Sequence, residues 1–344
     1  MALVLEGFDS LTNEAPLSQQ LPGFVLHGEE SISLVTGRNN QGKAIKLTND
    51  AYLEYQFHNE SSHKRTISAG AAFKYANKAA NNILMYVCNS DVPSISTDHE
   101  TNGLSHHNTG VAVLYVKDGF LWMERRSNVR SKLAALPENQ YVYVEVRFAW
   151  EYRPSYYAPT SYVYMNGQQL AAMPKLDFGS GTKYVSVYIG RAPQGMTIEV
   201  DDLYIEEYTS AINSNIPILA SGKISDLALA VESNTFAVTG ESVESALSDA
   251  SDATYISSND PAEVVFNVSR NIPQIYGIQM AARGKSETSG VTSFSLVDSS
   301  GNNIIAEQNV GFPASLTSYS LSASIASSDT NNKIKAGAKF KVRT

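Results

Sequence analysis

The 344-residue chain is predicted to be all-β, and three observations lead to that fold class. Apolar and polar residues alternate along short stretches, Asn, Asp and Gly separate the stretches, and only 17% of the residues are charged. Alternation places every second side chain on the same face, which is the pattern of a half-buried strand. The low charge favours short strands with polar outer faces over salt-bridged helices, so the sequence predicts β-sandwiches.

The clearest strand runs from Tyr141 to Trp150. Its polar and tyrosine side chains alternate with apolar ones, and the apolar set is Val142, Val144, Val146, Phe148 and Trp150. A helix would scatter these five around its circumference, whereas a strand gathers them on one face. Residues 51–57 alternate in the same way, with Leu53, Tyr55 and Phe57 predicted to share a side.

Two dipeptides and one phase slip locate turns and a bulge. Asp118-Gly119 and Asn166-Gly167 each separate two alternating stretches, and both pairs are typical of tight hairpin turns. In residues 197–208 the apolar pattern changes parity after Val200, which requires one extra residue at Asp201-Asp202. We therefore predict a β-bulge at this acidic pair, followed by an outward-facing Tyr204.

A change of pattern divides the chain in two. Residues 209–223 are rich in small and polar side chains and contain Pro217, so we predict a first sandwich at 1–208, a linker at 209–223 and a smaller second sandwich at 224–344. Alternation resumes after the linker and continues to the end of the chain. The last predicted strand begins at Lys333, with Ile334, Ala336, Ala338, Phe340 and Val342 facing inward.

Charge is segregated within the second sandwich. No Lys or Arg lies between Lys223 and Arg270, an interval that holds Glu241 and Glu244 among its acidic residues. The final strand is basic and carries Lys333, Lys335, Lys339, Lys341 and Arg343. The two segments are either neighbours within one domain or complementary patches that meet between protomers.

Three short segments of the first half resemble the concanavalin-like domains of tailed-bacteriophage virion proteins: LVLEGFDSL near the start, the YVYMNG hairpin and the closing IEVDDLYIEE. The second half resembles a small β-domain at the C-terminus of phage tail and collar proteins, through SVESALSDASDATYISS and IYGIQMAARGKSETSG. The resemblance implies a concanavalin-like jelly roll followed by a smaller β-sandwich. It also implies a structural virion component, such as a tail, collar, fibre or decoration subunit.

The same resemblance sets the expected partners and location. We expect contacts with other virion proteins and with further copies of the chain, a homo-oligomer for which a trimer is one option. The expected location is the virion, after synthesis in the host cytoplasm. The net charge of −8 argues against a nucleic-acid surface, and no apolar run predicts membrane insertion. The alternative function is that of a lectin-like, carbohydrate-binding module for recognition of a host glycan.

Catalysis and cofactors are not expected. Concanavalin-like glycosidases place their carboxylates on one strand as Glu-x-Asp-x-x-Glu, and Glu199 and Asp201 match the first two positions. Tyr204 stands at the third position, and Leu203 stands where a shorter variant needs a glutamate. No metal site is predicted beyond one calcium candidate, Asp201 with Asp202. His99, His106 and His107 have no metal-ligand spacing and are expected in a polar loop.

Tyrosines crowd into one predicted loop, 150–164, which two prolines stiffen. We expect them either to cover the core of their own sandwich, to contact another protein or to stack on a glycan. The candidate interface residues here are Trp150, Tyr152, Arg153, Tyr156, Tyr157, Tyr162 and Tyr164.

Overall fold

The chain divides into two compact units, and each unit takes in more than one stretch of sequence. The first comprises residues 1–9 and 23–224, and the second comprises 10–22 and 225–344. The grouping of residues 10–22 with the second unit was not foreseen from the sequence. The computed structural model describes residues 2–9, 11–13, 15–21, 23–40, 42–57, 66–78, 81–88, 110–125, 129–153, 156–174, 186–208, 224, 229–248, 253–268, 275, 277–288, 290–325 and 328–344. The predicted linker, 209–223, and the histidines at 99, 106 and 107 lie outside these residues.

The described residues of the first unit form fifteen strands. In chain order they are β1 Ala2–Glu6, β2 Val25–His27, β3 Ile32–Thr36, β4 Lys43–Thr48, β5 Tyr52–Gln56, β6 Thr66–Tyr75, β7 Asn82–Cys88, β8 Gly110–Lys117, β9 Phe120–Arg125, β10 Val129–Ala135, β11 Val142–Arg153, β12 Tyr156–Met165, β13 Gln168–Pro174, β14 Ser186–Arg191 and β15 Thr197–Tyr208. Sheet A has the order β13-β12-β11-β6-β15-β4-β3, with β1 also paired to β15. Sheet B has the order β10-β9-β8-β7-β14-β5-β2. The predicted all-β sandwich is confirmed.

Alternating apolar side chains fill the core of the first unit. Val142, Val144 and Val146 of β11 are buried, as the pattern predicted, and so are Leu53 and Tyr55 of β5. The intervening residues of β11, Tyr143, Glu145 and Arg147, are buried as well. Part of the outer face of sheet A is therefore covered, although the alternation predicted a solvent-exposed polar face.

The predicted turns and bulge are present. Asn166 and Gly167 both have positive φ (48° and 82°), as do Asp118 and Gly119 (52° and 74°). Positive φ at both central residues is the requirement of the tight hairpin turn that such pairs favour. The register of β15 against β6 shifts between Asp201 and Tyr204, which is the predicted bulge. Tyr204, however, is buried, so the prediction that it faces solvent is wrong.

The predicted tyrosine loop is a hairpin of two strands. β11 pairs with β12 along its outer half, where Trp150 lies opposite Pro159 and Tyr152 opposite Tyr157. Proline is tolerated at Pro159 because the pairing of β12 with its other neighbour, β13, begins only at Thr160. The prediction of a loop at residues 150–164 is wrong, because in the described pairing Pro159 lies where β12 has β11 as its one neighbouring strand.

The described residues of the second unit form three short helices and nine strands. They are α1 Leu17–Gln20, β16 Leu229–Asn234, β17 Ala237–Thr239, α2 Val243–Ser248, β18 Tyr255–Ser257, β19 Glu263–Val268, β20 Gly277–Gly284, β21 Val291–Val297, β22 Asn303–Gly311, β23 Thr317–Ser324, α3 Ser328–Gly337 and β24 Lys339–Arg343. Five strands form one sheet, β16-β19-β24-β21-β22, and β17–β18 and β20–β23 form two ribbons. No helix in the described part of the chain is long and apolar enough to cross a membrane.

The final predicted strand is half helix. Residues up to Gly337 form α3, and only Lys339–Arg343 form a strand. Asp329 in the first turn pairs with Lys333 at 2.9 Å, an i,i+4 contact that supports a helix. Gly337, with φ of 120°, ends the helix in a conformation that other residues rarely adopt. Lys333 and Lys335 therefore lie on α3, not on a basic strand, and Ile334 packs into the core.

Candidate functional site

A network of polar groups on the outer face of sheet B surrounds Glu54. The Glu54 carboxylate accepts hydrogen bonds from Ser186 Oγ at 2.7 Å, from Gln56 Nε2 at 3.2 Å and from the Tyr188 hydroxyl at 3.4 Å. Its other oxygen lies 2.8 Å from His27 Nε2. Burial alone would raise the pKa of Glu54, but the hydrogen bonds from Ser186, His27 and Gln56 outweigh it and lower that pKa. Glu54 is therefore an ionised, fixed carboxylate at neutral pH.

Aromatic rings continue from this network across the same face. His27 stacks on Tyr52 with 4.3 Å between ring centroids and 14° between ring planes. Tyr52 meets the edge of Tyr188 at 5.4 Å, and Tyr188 stacks on Tyr86 at 5.5 Å. His27 and Tyr52 are half-exposed, whereas Tyr86 and Tyr188 are buried. The half-exposed, stacked rings of His27 and Tyr52 thus lie beside the Glu54 carboxylate. The buried rings of Tyr188 and Tyr86 continue the same aromatic cluster.

Strand register brings these residues together. His27 of β2 lies opposite Tyr52 of β5, and Glu54 of β5 lies opposite Tyr188 of β14. Arg191, at the end of β14, binds Asp50 at 3.1 Å and is close enough to Tyr52 to act on its pKa. The alternation that predicted inward Leu53 and Tyr55 also implies outward Tyr52 and Glu54. His27 carried no comparable signal, because it belongs to a three-residue strand distant in sequence.

A second polar group lies on the covered outer face of sheet A. Glu145 lies opposite Tyr164 on one side and Gly70 on the other, and Gly70 lies opposite Tyr204. The Tyr204 ring lies over Gly70, where an added Cβ would come within 2.5 Å of the ring. Burial raises the pKa of Glu145 to about 8, and the neighbouring Tyr204 hydroxyl and Arg147 guanidinium only partly offset this rise. Glu145 is therefore mainly protonated at neutral pH.

The acidic bulge binds an arginine. Arg38 Nη2 lies 2.6 Å from Asp202 Oδ2, and the Arg38 amide donates to Asp201 Oδ2 at 2.7 Å. The other Asp202 oxygen accepts the Ile224 amide at 2.8 Å. Of the two buried carboxylates of the calcium candidate, Asp202 thus already holds an internal cation, and Asp201 accepts backbone amides. No group of three metal-ligating side chains occurs in the part of the chain that the structure describes.

The glycosidase-like position Glu199 is also engaged. Its two carboxylate oxygens lie 3.0 and 2.9 Å from Lys74 Nζ, and the Tyr141 hydroxyl donates to one of them at 2.9 Å. Hydrogen bonding to this carboxylate and burial both raise the pKa of Tyr141, burial being the larger cause. Glu199 is therefore committed to a cation within the fold, and Asp201 to the backbone amides of Arg38 and Asp202.

Most of the basic candidates of the second unit bind carboxylates of the same chain. Lys339 Nζ lies 2.6 Å from Glu232, and Arg343 pairs with Glu263 of the adjacent strand. Lys341 and Lys335 are half-buried. Of the two interpretations left open by the sequence, these contacts fit neighbours within one domain. Glu241 is exposed, and Glu244 accepts the Val231 amide at 3.2 Å.

The tyrosine-rich hairpin is described only in part. Tyr162 is half-buried, with the Arg147 guanidinium 5.7 Å from its ring centroid, and Tyr164 is buried. These two cover their own sandwich, one of the three roles expected for the tyrosines. The other five candidates lie on paired strands, but their side chains are outside the described set: Trp150, Tyr152, Arg153, Tyr156 and Tyr157.

Comparison with known proteins gives a likeness of fold alone. No family model and no curated protein matches the chain. Similar solved structures include cellulose induced protein Cip1, which is 10% identical with a TM-score of 0.41, covering 61% of this chain and 99% of that one. A carbohydrate esterase from Shiga toxin-encoding bacteriophage phi24B is 17% identical (TM-score 0.37; 57% and 95%). Peanut lectin is 12% identical (TM-score 0.37; 60% and 97%). Values this low carry no argument about a site or its ligand.

Proposed function

We propose that the first unit binds glycans through the Glu54 face, defined as His27, Tyr52, Glu54, Gln56 and Arg191. The observation that carries the proposal is the half-exposed His27–Tyr52 stack beside the ionised Glu54 carboxylate. A sugar ring has an apolar C–H face and a rim of hydroxyls, and it therefore needs an aromatic surface and fixed hydrogen-bonding groups side by side. The Glu54 face supplies both within one sheet.

Rigidity of the face supports the same role. Glu54 is buried and held by Ser186 and Tyr188 from a neighbouring strand, so its carboxylate fixes the half-exposed His27 in place before a ligand arrives. Arg191 is held by Asp50, and the exposed Gln56 offers an amide next to the carboxylate. A preorganised surface loses less conformational entropy on binding than a flexible one.

The names of several similar structures concern carbohydrate. They include the carbohydrate recognition domain of Emp46p and a domain of a Geobacillus stearothermophilus arabinanase in complex with arabinotriose. Their TM-scores of 0.37 and 0.34 indicate a likeness of fold alone. The glycan proposal therefore stands on the side chains of the Glu54 face.

A glycan array probed with the full chain tests the proposal, followed by calorimetric titration of the best ligand. Tyr52→Leu and Glu54→Gln should each weaken binding about tenfold or more, because they remove the ring and the charge respectively. Tyr255→Leu, which changes an exposed tyrosine of the second unit, is the matched control and should leave affinity unchanged. Equal loss in all three variants, or no ligand on the array, would refute the assignment.

We further propose that the chain is a structural component of a phage virion, located in the particle, where the first unit would meet host glycans without catalysing a reaction. Its partners would be other virion proteins and further copies of the chain. The sequence resemblance supports this role, and the large apolar side chains exposed on the second unit are suited to assembly. Immunogold labelling of purified particles tests it, and particles without the protein would contradict it.

A further inference from the structure

A second half-exposed aromatic side chain lies on the outer face of sheet B, far along the sheet from the Glu54 face. One cluster of packed side chains extends across this outer face, and its buried members include Tyr86, Tyr115 and Tyr188. The partly buried side chains packed against the cluster are Tyr52 on β5 and Trp122 on β9. Because β8, β7 and β14 separate β9 from β5, Trp122 is not part of the Glu54 face.

Strand register gathers aromatic and basic side chains around Trp122 on this one face. Trp122 lies opposite Tyr115 of β8 and opposite Lys132 of β10, and the Tyr115 and Trp122 ring planes differ by 16°. Phe120 lies two residues before Trp122 on β9 and therefore shares its face, whereas Leu121 between them is buried on the core side. Phe120, Trp122 and Lys132 thus belong to one surface.

Two basic side chains are held in place beside these rings. The Lys132 ammonium lies 3.2 Å from the centroid of the Phe120 ring, a cation–π contact, and Lys132 takes part in none of the ion pairs between described residues. Arg130, two residues earlier on β10, is fixed by Glu124, with 2.9 Å between Arg130 Nε and Glu124 Oε2. Glu124 is buried, whereas Arg130 and Lys132 are exposed. Glu124 balances the charge of Arg130, and the charge of Lys132 remains.

The combination of rings and fixed basic groups suits a sugar that carries a carboxylate. The C–H face of a sugar can stack on the half-exposed Trp122 ring, and its carboxylate can accept charge-assisted hydrogen bonds from Lys132 and Arg130. Both basic groups are already positioned, Lys132 by a ring and Arg130 by a buried carboxylate, so binding orders little that was free before. The fixed charge of the Glu54 face is negative, and the two places therefore favour different ligands.

We propose that sheet B carries a second glycan site, the Trp122 site, which is specific for acidic sugars such as uronic acids. The site consists of Phe120, Trp122, Arg130 and Lys132. Stacking on Trp122 would supply affinity for the sugar ring, and Lys132 with Arg130 would select the carboxylate. The Trp122 site shares no residue with the Glu54 face, so each of the two proposals can fail while the other holds.

The test uses the full chain and fluorescein-labelled hexagalacturonate, with two matched ligands: its fully methyl-esterified form and a hexaglutamate peptide. Fluorescence anisotropy should show binding of hexagalacturonate that weakens between roughly 50 and 500 mM salt. The ester lacks the charges and the peptide lacks the sugar rings, so each should bind about tenfold more weakly or worse. No binding of hexagalacturonate would overturn the proposal. Equal binding of the peptide would overturn it too, since charge attraction alone would then explain the result.

Substitutions assign the binding to the Trp122 site. Trp122→Leu and Lys132→Gln should each raise Kd for hexagalacturonate about tenfold. Lys132 is exposed, so Lys132→Gln decides the question even where Trp122→Leu disturbs the packed cluster. Lys285→Gln removes an exposed lysine of the second unit and should bind as the parent does. A loss in Lys285→Gln equal to that in Lys132→Gln would overturn the proposal.

Two further measurements separate the Trp122 site from the Glu54 face. Tyr52→Leu should bind hexagalacturonate with the parent's affinity, whether or not the Glu54 face binds a glycan. The chain has two tryptophans, so the emission of Trp150→Phe reports on Trp122 alone and should change when hexagalacturonate binds. Unchanged emission at saturation, or a tenfold loss of affinity in Tyr52→Leu, would contradict the assignment.

Discussion

Arg38 and Asp202 form a buried ion pair, with 2.6 Å between Nη2 and Oδ2, that fastens the turn after β3 to the bulge in β15. The adjacent Asp201 strengthens the junction by accepting the Arg38 amide. A bulge forces its extra residue out of the ladder, and here that residue supplies a carboxylate to the neighbouring turn. The acidic pair therefore has a structural role in sheet A.

Replacing Arg38 by Met should destabilise the first unit by about 3–5 kcal/mol, because it leaves the buried Asp202 carboxylate without its cation. Urea denaturation followed by tryptophan fluorescence would measure the loss. Arg191→Met is the control: Arg191 binds the partly exposed Asp50, and its loss should cost about 1 kcal/mol or less. Similar losses in both variants would mean that the bulge contact is no stronger than a surface pair.

Glu145→Gln should change stability in a pH-dependent way. The pKa of Glu145 in the folded chain is about 8, above the value of about 4.3 for an unfolded glutamate. The folded state therefore holds a proton that the unfolded state releases, so the free energy of unfolding falls as pH rises from about 4 to about 8. The variant lacks this titration and should gain roughly 2–4 kcal/mol over the parent by pH 8.5, with little difference near pH 4.

Glu124→Gln should have the opposite effect on stability from Glu145→Gln. Glu124 is as buried as Glu145, but it pairs with Arg130 Nε at 2.9 Å. Removing its charge should destabilise the chain at neutral pH, because a charge-assisted hydrogen bond to Arg130 is replaced by a weaker neutral one. Denaturation midpoints for both variants across pH 4–9 would test the contrast, and parallel curves would disprove it.

Local patterns explain what the sequence could predict. Alternation identifies Val142, Val144 and Val146 as core residues because neighbouring side chains alone decide strand parity. The parity change around Asp201 identified the bulge for the same reason. The α3 helix was missed because Ile334, Ala336 and Ala338 also fit a strand, and a helix of this length is favoured by Asp329 and Gly337 more than by periodicity.

Contacts between distant segments explain what could not be predicted. The Glu54 face forms because β14, β5 and β2 are neighbours in sheet B. No local sequence pattern predicts that His27 contacts Glu54. The burial of Glu145 and Tyr204 likewise depends on what covers sheet A, which alternation does not encode. Residues near a strand surface can thus be named from sequence, but their grouping into a site depends on strand order.

The chain should lack glycoside hydrolase activity. Glu199 is held by Lys74 and Tyr141, and Asp201 by the backbone amides of Arg38 and Asp202, so both carboxylates are already engaged within the fold. Tyr204 and Leu203 stand where the third carboxylate would be required. Release of reducing sugar from β-glucans should equal the buffer blank. Turnover that disappears in Glu199→Gln and persists in Glu232→Gln would contradict this expectation.

Leu17→Ala should destabilise the second unit although Leu17 precedes most of the first unit in sequence. Residues 10–22 group with the second unit, α1 contacts β23, and Leu11, Leu17 and Leu21 are buried. Removing a buried leucine side chain costs about 2–5 kcal/mol, through lost burial and the cavity that remains. Hydrogen exchange of the full chain should therefore accelerate in β23 and α3, while β6 and β11 keep their protection.

Gln19→Ala changes an exposed residue of the same helix and should leave both units unaffected. Faster exchange confined to β6 and β11 in Leu17→Ala would show that 10–22 supports the first unit instead.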